Sequence, residues 1–476
     1  MATRGVLWLS LALCAAGSVW FAIALHFVRR KRAKERGLVE GGGGANGHTR
    51  SRAVAVALLY LLVVALVPTI LVNGITRLAF YRSVRGTAQW RQSGPQAYLR
   101  VEAQDHYSLG YLEGKMLAHR VVNAEVLLST IVTGEYREMA REFLQFIPKE
   151  YAEEMRGIAD GATHATGWIV TFEDVLLQNV FVELYYGRIL PAKHGHSGGG
   201  NDVEGDTTSV ESAQAGVAPL QLGCTVVGGP GPGGVPTVGQ NFDFVNVVND
   251  EGPLENGWLP SLAFVLHQLP GKPAVFDLRL GGMLALPCGK NSLGVTALIN
   301  YVSCKLSSNA SVPITVRTRQ AWEAAGSAQE FLDVLVASPH TASFNYLLAD
   351  SDEIIGLQAH PAGYRVQHNA TIVHTNRYVY ADWNEEFFAG GDYALTRQAH
   401  AEWLLGQAIV DDGVLDHGEL LAILGNGTDG AGPESAIDRT GGVMDSATVA
   451  FFTSEAFGLG DVHDGVGPLP AWPNAP

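Results

Sequence analysis

The chain has 476 residues, 47% of them hydrophobic and 17% charged, and its formal net charge at pH 7 is −15. This length allows more than one domain, and the acidic balance disfavours binding to nucleic acid. The sequence has no CxxC pair, no HExxH motif and no clustered His/Asp set, so it predicts no metal site, and we expect no cofactor.

Two apolar stretches near the N-terminus, residues 5–28 and 53–75, are each long enough to cross a hydrocarbon core of ~30 Å as a helix. A cleaved signal peptide is the alternative for the first, but its apolar run is long and RRKRAKER follows it directly. The basic residues between the two stretches predict a cytosolic loop. We therefore predict a membrane anchor over residues 1–80 and a lumenal or extracellular domain over residues 81–476.

Two further features fit an oxidising compartment. Sequons begin at Asn309, Asn369 and Asn426, and we predict N-glycosylation at these three positions. Cys288 and Cys304 could form a disulfide in such a compartment or could be buried thiols, and the sequence leaves both alternatives open.

The first part of the predicted domain is helical. Residues 76–107 are predicted to connect the membrane to the fold, and apolar positions recur at helical spacing from Ser108 to Glu183. Gly110 and Gly114 are predicted to allow close helix packing. Residues 193–216 are rich in Gly, Ser and Asp and predict a solvated loop. The individual helical segments predicted here are 118–131, 139–147 and a helix that opens at Pro148 and runs to about Ile158.

The part after Cys224 is predicted to be rich in strands, because short apolar runs alternate there with Gly, Pro and Asn. Blocks of strands interrupted by helices predict a layered arrangement of sheets and helices. The predicted strands are 225–227, 236–243, 261–269, 274–280, 293–299, 346–350, 354–360, 363–368 and 372–374, and the predicted helices are 321–336, 395–409 and 416–424.

Cys224 carries the most specific chemical signal. It begins a short β-like run, and a Gly/Pro turn then leads into a second strand that ends at Asp243. Because Gly223 tolerates unusual backbone angles, the thiol could attack the preceding carbonyl with little hindrance. Cleavage between Gly223 and Cys224 would leave an N-terminal cysteine whose thiol is the nucleophile and whose amine is the base. The alternative is a buried cysteine without a chemical role.

The motifs GCT and GQNFDF resemble the region around the nucleophile in the acyl-CoA:isopenicillin N acyltransferase-like (6-aminopenicillanic acid acyltransferase) family of N-terminal nucleophile (Ntn) hydrolases. Members of that family mature by cleavage before such a cysteine. Similar segments occur in the family's order, covering about residues 100–460: EEMRGIADGATHATG, GKNSLGVTALIN, ASFNYLLAD, IVHTNRY and SAIDR. The resemblance implies an α+β fold, the four-layer αββα Ntn-hydrolase sandwich, here preceded by the two transmembrane helices.

The resemblance also implies roles for three residues besides Cys224. Asp243 matches an active-site Asp, Asn376 in HTNRY matches an oxyanion-stabilising Asn, and Arg439 in SAIDR matches an Arg that pairs with the Asp or with substrate. Two departures from the family are Arg377, where His is common, and Asp438, where Cys is common. The alternative for Asp243 is an ordinary strand-end or turn carboxylate, and that for Asn376 is a polar residue that ends a strand. The alternative for Arg439 is a surface ion pair with Asp438. Asn291 and Asn300 are weaker candidates, for which a turn or strand-edge position is the alternative.

The sequence thus predicts a membrane-anchored, self-processed cysteine Ntn hydrolase that cleaves a linear amide through a thioester on Cys224. Water as acceptor would make it an amidohydrolase and an amine would make it an acyltransferase, and both stay open. Membrane anchoring favours a lipid-derived amide as substrate. The alternative is a catalytically silent, membrane-tethered ectodomain that binds or scaffolds a partner. The sequence specifies neither the acyl group, the oligomeric state nor the particular membrane.

Overall fold

The computed structural model describes residues 84–93, 96–131, 134–195, 223–245, 261–379, 383, 393–425 and 444–452. They lie, apart from residue 84, in the second of the two units into which the chain divides, Arg85–Pro476. The predicted membrane spans and most of the predicted loop 193–216 fall outside this part of the chain. Among the described residues, no helix combines the length and the apolar character needed to cross a membrane.

The described residues form a mixed α+β fold. A 3₁₀ turn over Glu142–Phe146 follows helix α3, and a π-helical turn over Tyr185–Ile189 joins α5 to α6. The helices are α1 (His106–Met116), α2 (Ala118–Ile131), α3 (Gly134–Arg141), α4 (Lys149–Thr166), α5 (Phe172–Leu184), α6 (Leu190–Gly195), α7 (Ile314–Ala324), α8 (Ala328–Val336), α9 (Tyr393–Ala408) and α10 (His417–Leu424).

The strands form two sheets in which the described neighbours are antiparallel, except for β2 and β5. The large sheet has the order β1-β2-β5-β6-β7-β8-β9-β10-β11, and the small sheet has the order β12-β3-β4-β13. The strands are β1 (Gly86–Ser93), β2 (Gln96–Ala103), β3 (Gly223–Pro230), β4 (Pro236–Val245), β5 (Leu262–Gln268), β6 (Val275–Leu280), β7 (Gly289–Asn291), β8 (Thr296–Val302), β9 (Ser343–Ala349), β10 (Ile354–His360), β11 (Gly363–His368), β12 (Ile372–His374) and β13 (Met444–Phe452).

The two sheets pack face to face, with helices on their outer sides. Successive residues of β3 show this alternation, because Val226 belongs to the core between the sheets and Val227 to the core beneath α9 and α10. On the large sheet, Phe264 faces the inter-sheet core and Val265 packs with the helices α1, α2, α4 and α5. The packing order is therefore helices, large sheet, small sheet, helices.

Helices α1 and α4 approach each other closely through glycines, as predicted for Gly110 and Gly114. A Cβ atom at Gly114 would lie 2.2 Å from the carbonyl oxygen of Ile158 on α4. The facing glycines of α4 are Gly157 and Gly161, and a Cβ atom at either would also lie less than 2.5 Å from a backbone oxygen of α1. Both helices therefore need glycine at this contact.

Most predicted elements are observed, and three strands have the predicted bounds: β10, β11 and β12. The predicted connection from the membrane to the fold over residues 76–107 is wrong for residues 86–93 and 96–103, which form the paired strands β1 and β2. Strand β1 lies at the edge of the large sheet and its side chains are mostly exposed. An edge strand of this kind lacks the apolar alternation by which strands are recognised.

The single helix predicted over residues 321–336 is also wrong, because two helices occupy this region. Ala325 has extended backbone angles and ends α7. The Ser327 side chain then accepts a hydrogen bond from the Glu330 nitrogen and begins α8. Ser is a preferred N-cap residue, since it satisfies one of the free N–H groups of the first turn.

Candidate active site

Cys224 lies on strand β3, in the hairpin formed with β4. The register pairs Cys224 with Phe242 and Gly223 with Asp243, so the backbone of Asp243 lies beside the predicted scissile bond. The Cys224 side chain is buried in the core between the sheets, with 6% of its surface exposed. The Cys224 nitrogen is a peptide N–H, which the predicted cleavage before Cys224 would convert into a free amine.

Asn376 contacts that nitrogen directly. The Cys224 N–H donates a hydrogen bond of 2.7 Å to the Oδ1 atom of Asn376. The Nδ2 group of Asn376 donates to the Tyr301 carbonyl on β8 at 2.8 Å. The Arg397 guanidinium, which is 1% exposed on α9, donates to the same Oδ1 at 2.6 Å. One amide side chain therefore links the cysteine to the large sheet and to a buried cation.

The short length of β7 gives the small sheet access to β8. In the described structure, β7 pairs with β8 only at Thr296 and Ala297, whereas β8 continues to Val302. The Gln240 side chain of β4 takes the next position, because it hydrogen-bonds both the nitrogen and the carbonyl of Ile299. Asn376 bonds the Tyr301 carbonyl, two residues further along the same edge of β8. The part of this edge that β7 leaves unpaired therefore binds the end of the small sheet that carries Cys224.

A tyrosine from the π-helical turn lies near the same site. The ring of Tyr186 packs against that of Tyr301 with centroids 3.7 Å apart. Burial raises the pKa of the Tyr186 phenol well above its ordinary value, and the neighbouring Tyr301, Tyr185 and Cys224 raise it further. The phenol therefore stays protonated near neutral pH. Single π-helical turns within helices occur often at functional sites.

The cysteines described in the structure are free thiols, so the disulfide alternative for Cys288 and Cys304 is not observed. Burial raises the pKa of the Cys288 thiol well above its ordinary value, and nearby Asp277 and Cys224 act in the same direction. The Cys304 sulfur accepts a hydrogen bond of 3.3 Å from the Leu306 nitrogen.

The two weaker candidates from the sequence differ in their surroundings. Asn291 shapes the turn after β7: its Nδ2 group donates to the Ala325 carbonyl at 2.8 Å, and its Oδ1 atom accepts from the Val295 nitrogen at 3.1 Å. Asn300 on β8 is fully buried, and neither polar atom of its side chain has a hydrogen-bond partner among the described residues. Asn291 is thus structural, whereas Asn300 has unused hydrogen-bonding capacity.

The other predicted site residues lie away from Cys224 in the sequence, and the structure describes only two of them. Arg439 and Asn426 lie outside the described residues. Asn309 and Asn369 are exposed, Asn309 before α7 and Asn369 directly after β11. Arg397 was missed at the sequence level, since it lies in a predicted helix and no pattern distinguishes it from an ordinary helical arginine.

A buried charge cluster, made of Glu113, Glu154, Asp277, Arg279 and Arg319, lies on the helical side of the large sheet. Arg279 donates to Glu113 at 2.8 Å and to Asp277 at 2.9 Å, and Arg319 donates to Glu154 at 3.1 Å. Burial raises the pKa of Glu113 to about 7 and that of Asp277 to about 6. These bonds join α1 to β6 and α4 to α7, which is a structural role.

No group of three or more His, Cys, Asp or Glu side chains in the described ranges could hold a metal ion.

Comparisons with known proteins bear on residues 280–414, which match the family model described as Acyl-coenzyme A:6-aminopenicillanic acid acyl-transferase. Among solved structures, the chain is similar to the Caenorhabditis elegans N-acylethanolamine-hydrolyzing acid amidase (NAAA) ortholog, at 13% identity and a TM-score of 0.37. That similarity covers 52% of this chain and 100% of the other. At this TM-score it does not establish a shared fold or function. No curated protein matches the chain. The family resemblance seen in the sequence is confirmed by the family model.

Proposed function

Residues 280–414 are similar in sequence to the acyl-coenzyme A:6-aminopenicillanic acid acyl-transferase family, and from this premise we propose that the chain is a self-processed cysteine Ntn hydrolase. The observation that carries the proposal is the 2.7 Å hydrogen bond between the Cys224 nitrogen and Asn376. It joins the predicted nucleophile to a second predicted site residue that lies 152 positions further along the chain.

Processing begins with attack of the Cys224 sulfur on the Gly223 carbonyl carbon. The C–N bond between the two residues breaks, the nitrogen takes the thiol proton, and Gly223 is left as a thioester on the sulfur. Water then hydrolyses this thioester, which releases the Gly223 carboxylate and restores the thiol. The new chain begins with Cys224 and carries a free amine where the peptide nitrogen was.

The released amine is suited to act as the base. Asn376 holds the nitrogen through its Oδ1 atom, and the Arg397 guanidinium lies 2.6 Å from that same oxygen. A cation so close disfavours a second positive charge on the amine. The neutral amine takes the proton of the Cys224 thiol as the sulfur attacks the substrate carbonyl, and it returns that proton to the leaving amine.

The oxyanion of the tetrahedral intermediate needs hydrogen-bond donors. Asn376 supplies its Nδ2 group, which the Tyr301 carbonyl holds in place in the uncut chain. Asn300 supplies a second amide, since its side chain is buried and has no partner among the described residues. Collapse of the intermediate leaves the acyl group as a thioester on Cys224, and water or an amine then accepts it.

The proposed architecture is the four-layer αββα Ntn sandwich, supported by the observed order of helices and sheets. We also propose that spans 5–28 and 53–75 anchor it, with residues 81–476 lumenal or extracellular and a lipid-derived amide as substrate. Exposed Asn309 and Asn369 fit glycosylation on that side. A mobility shift on glycosidase treatment and protection of the large domain from protease in sealed vesicles test this topology. Digestion of the domain from the cytosolic face would reverse it.

The activity is tested with a panel of N-acyl amides and the purified chain, with and without alkylation of its thiols. We expect hydrolysis or acyl transfer that is lost on alkylation and in Cys224→Ser or Cys224→Ala. Activity that survives both treatments would refute a cysteine mechanism. The silent-ectodomain alternative is not favoured, because the cysteine and Asn376 contact each other directly.

A further inference from the structure

Asn345 and Asp350 are two polar residues of the motif ASFNYLLAD that have no role in the proposed processing and acyl transfer. Asp350 has a structural explanation. Its Oδ2 atom accepts from the Ala328 nitrogen at the start of α8, and its Oδ1 atom accepts from the Asp352 nitrogen in the turn after β9. Asn345 is fully buried on β9 and needs a different explanation.

Asn345 holds the backbone on both sides of Asn376. Its Nδ2 group donates to the Thr375 carbonyl at 2.9 Å and to the Arg377 carbonyl at 2.7 Å. Both protons of one amide group are therefore used on the two residues that flank the predicted site residue.

Gln358 fixes Asn345 from the neighbouring strand. The register of β9 and β10 places the two residues opposite each other. The Gln358 Nε2 group donates to the Asn345 Oδ1 atom at 3.0 Å, and its own Oε1 atom accepts from the Val379 nitrogen at 3.2 Å. The amide plane of Asn345 is thus oriented by a partner that also binds the segment 375–379.

These bonds act where the strand ladder has ended. Strand β12 pairs with β3 at Ile372, Val373 and His374 and no further in the described structure. Asn376 lies two residues beyond the last pair, so no strand pairing holds its backbone. A segment outside a ladder keeps a defined position only if other groups satisfy its backbone.

We propose that Asn345, oriented by Gln358, is a positioning residue that holds Asn376 against the Cys224 nitrogen. This rests on the proposed function, because it gives a reason for holding Asn376 within hydrogen-bonding distance of the nucleophile. Asn345 contacts neither the substrate nor the sulfur, and it acts only through the segment 375–379.

The test compares two buried asparagines with similar contacts. Asn179 on α5 is 1% exposed, donates to the carbonyls of Val175 and Gly282, and accepts from the Leu284 nitrogen. Asn345→Ala and Asn179→Ala therefore remove the same side chain and a similar number of bonds. Only the first releases the backbone of Asn376.

The full chain carrying each variant is assayed for turnover of N-acyl amides, thermal midpoint and amide hydrogen exchange of the segment 372–379. For Asn345→Ala we expect kcat to fall about 10- to 100-fold with little change in KM, since misplacement by about 1 Å costs about that much. We expect faster exchange in the segment as well. Asn179→Ala should lower the thermal midpoint without either effect.

Two further variants keep the test decisive if Asn345→Ala does not fold. Asn345→Asp keeps the volume but turns an oxygen toward the carbonyls of Thr375 and Arg377. Its kcat relative to the original chain should rise as the pH falls, because the protonated carboxyl regains one donor. Gln358→Met should also reduce kcat, by a smaller factor than Asn345→Ala.

Equal kcat in the folded Asn345→Ala and Asn179→Ala variants would overturn the proposal, and so would unchanged exchange in the segment 372–379. Loss of the proposed function gives a different result. If the original chain shows no turnover that depends on Cys224, the cysteine mechanism fails and the exchange measurement alone decides the role of Asn345.

Discussion

Substitution of Asn376 tests the contact at the centre of the site. Asn376→Ala removes the oxygen that accepts from the Cys224 nitrogen at 2.7 Å and from Arg397 at 2.6 Å. It also removes the donor that binds the Tyr301 carbonyl at 2.8 Å and that is proposed to stabilise the oxyanion. Three hydrogen bonds, one of them to a buried cation, are lost together.

The expected loss of turnover follows from the loss of the oxyanion donor. Loss of one oxyanion donor costs ~10²–10³ in kcat, or ~2.7–4 kcal/mol of transition-state stabilisation. We therefore expect Asn376→Ala to lower turnover by about that factor and to slow self-cleavage. Asn376→Asp keeps the oxygen that holds the Cys224 nitrogen but has no N–H donor. It should still process itself while its turnover falls as far as that of Asn376→Ala.

The assay is the rate of N-acyl amide hydrolysis per processed chain, with alkylation of Cys224 to count active sites and a thermal melt to confirm folding. The comparison of the two variants separates positioning of the nitrogen from stabilisation of the oxyanion. Turnover in Asn376→Ala equal to that of the original chain, with activity that survives alkylation, would show that neither Asn376 nor Cys224 takes part in catalysis.

Asp243→Asn should impair processing, turnover or both, measured by gel and by amide hydrolysis, because it removes the carboxylate charge of a residue for which the family resemblance implies an active-site role. Full processing and full activity would contradict this role. Gly114→Ala should lower the free energy of unfolding by ~1–3 kcal/mol through overpacking against α4. Gly406→Ala, in open space within α9, should instead raise the free energy of unfolding by ~1 kcal/mol. Denaturant unfolding measures both changes, and a change of the same sign in both variants would contradict the close packing at Gly114. Burial raises the pKa of Glu113 from 4.5 to about 7, so its contribution to stability is present below pH 4.5 and is lost as the pH rises through 7. In unfolding curves recorded between pH 4.5 and 8, Glu113→Gln should lack this pH-dependent part of the stability. A pH dependence identical to that of the original chain would show that Glu113 does not titrate in this range.

The hairpin that carries Cys224 could be predicted from the sequence because its signals are local. A Gly/Pro turn separates two apolar runs, and the observed strands β3 and β4 extend the predicted ones by a few residues. Strands β10, β11 and β12 were also predicted with their bounds, since turn residues separate short apolar runs there. Strand β1 was not, because an exposed edge strand carries no such alternation.

The partners within the site could not be predicted in the same way. Arg397 reaches Asn376 from a helix that begins 17 residues later, and Asn345 reaches the same segment from a strand 30 residues earlier. Tyr186 reaches Tyr301 from a π-helical turn more than 100 residues away. Such contacts depend on the packing of separate elements, whereas sequence periodicity reports only which face of one element is buried.

Intact mass and N-terminal sequencing of the purified chain measure self-cleavage at Cys224 itself. We expect two fragments, the second beginning with Cys224, and a single uncut chain for Cys224→Ala. A wild-type chain that stays whole and is nevertheless active on amides would contradict the proposed mechanism.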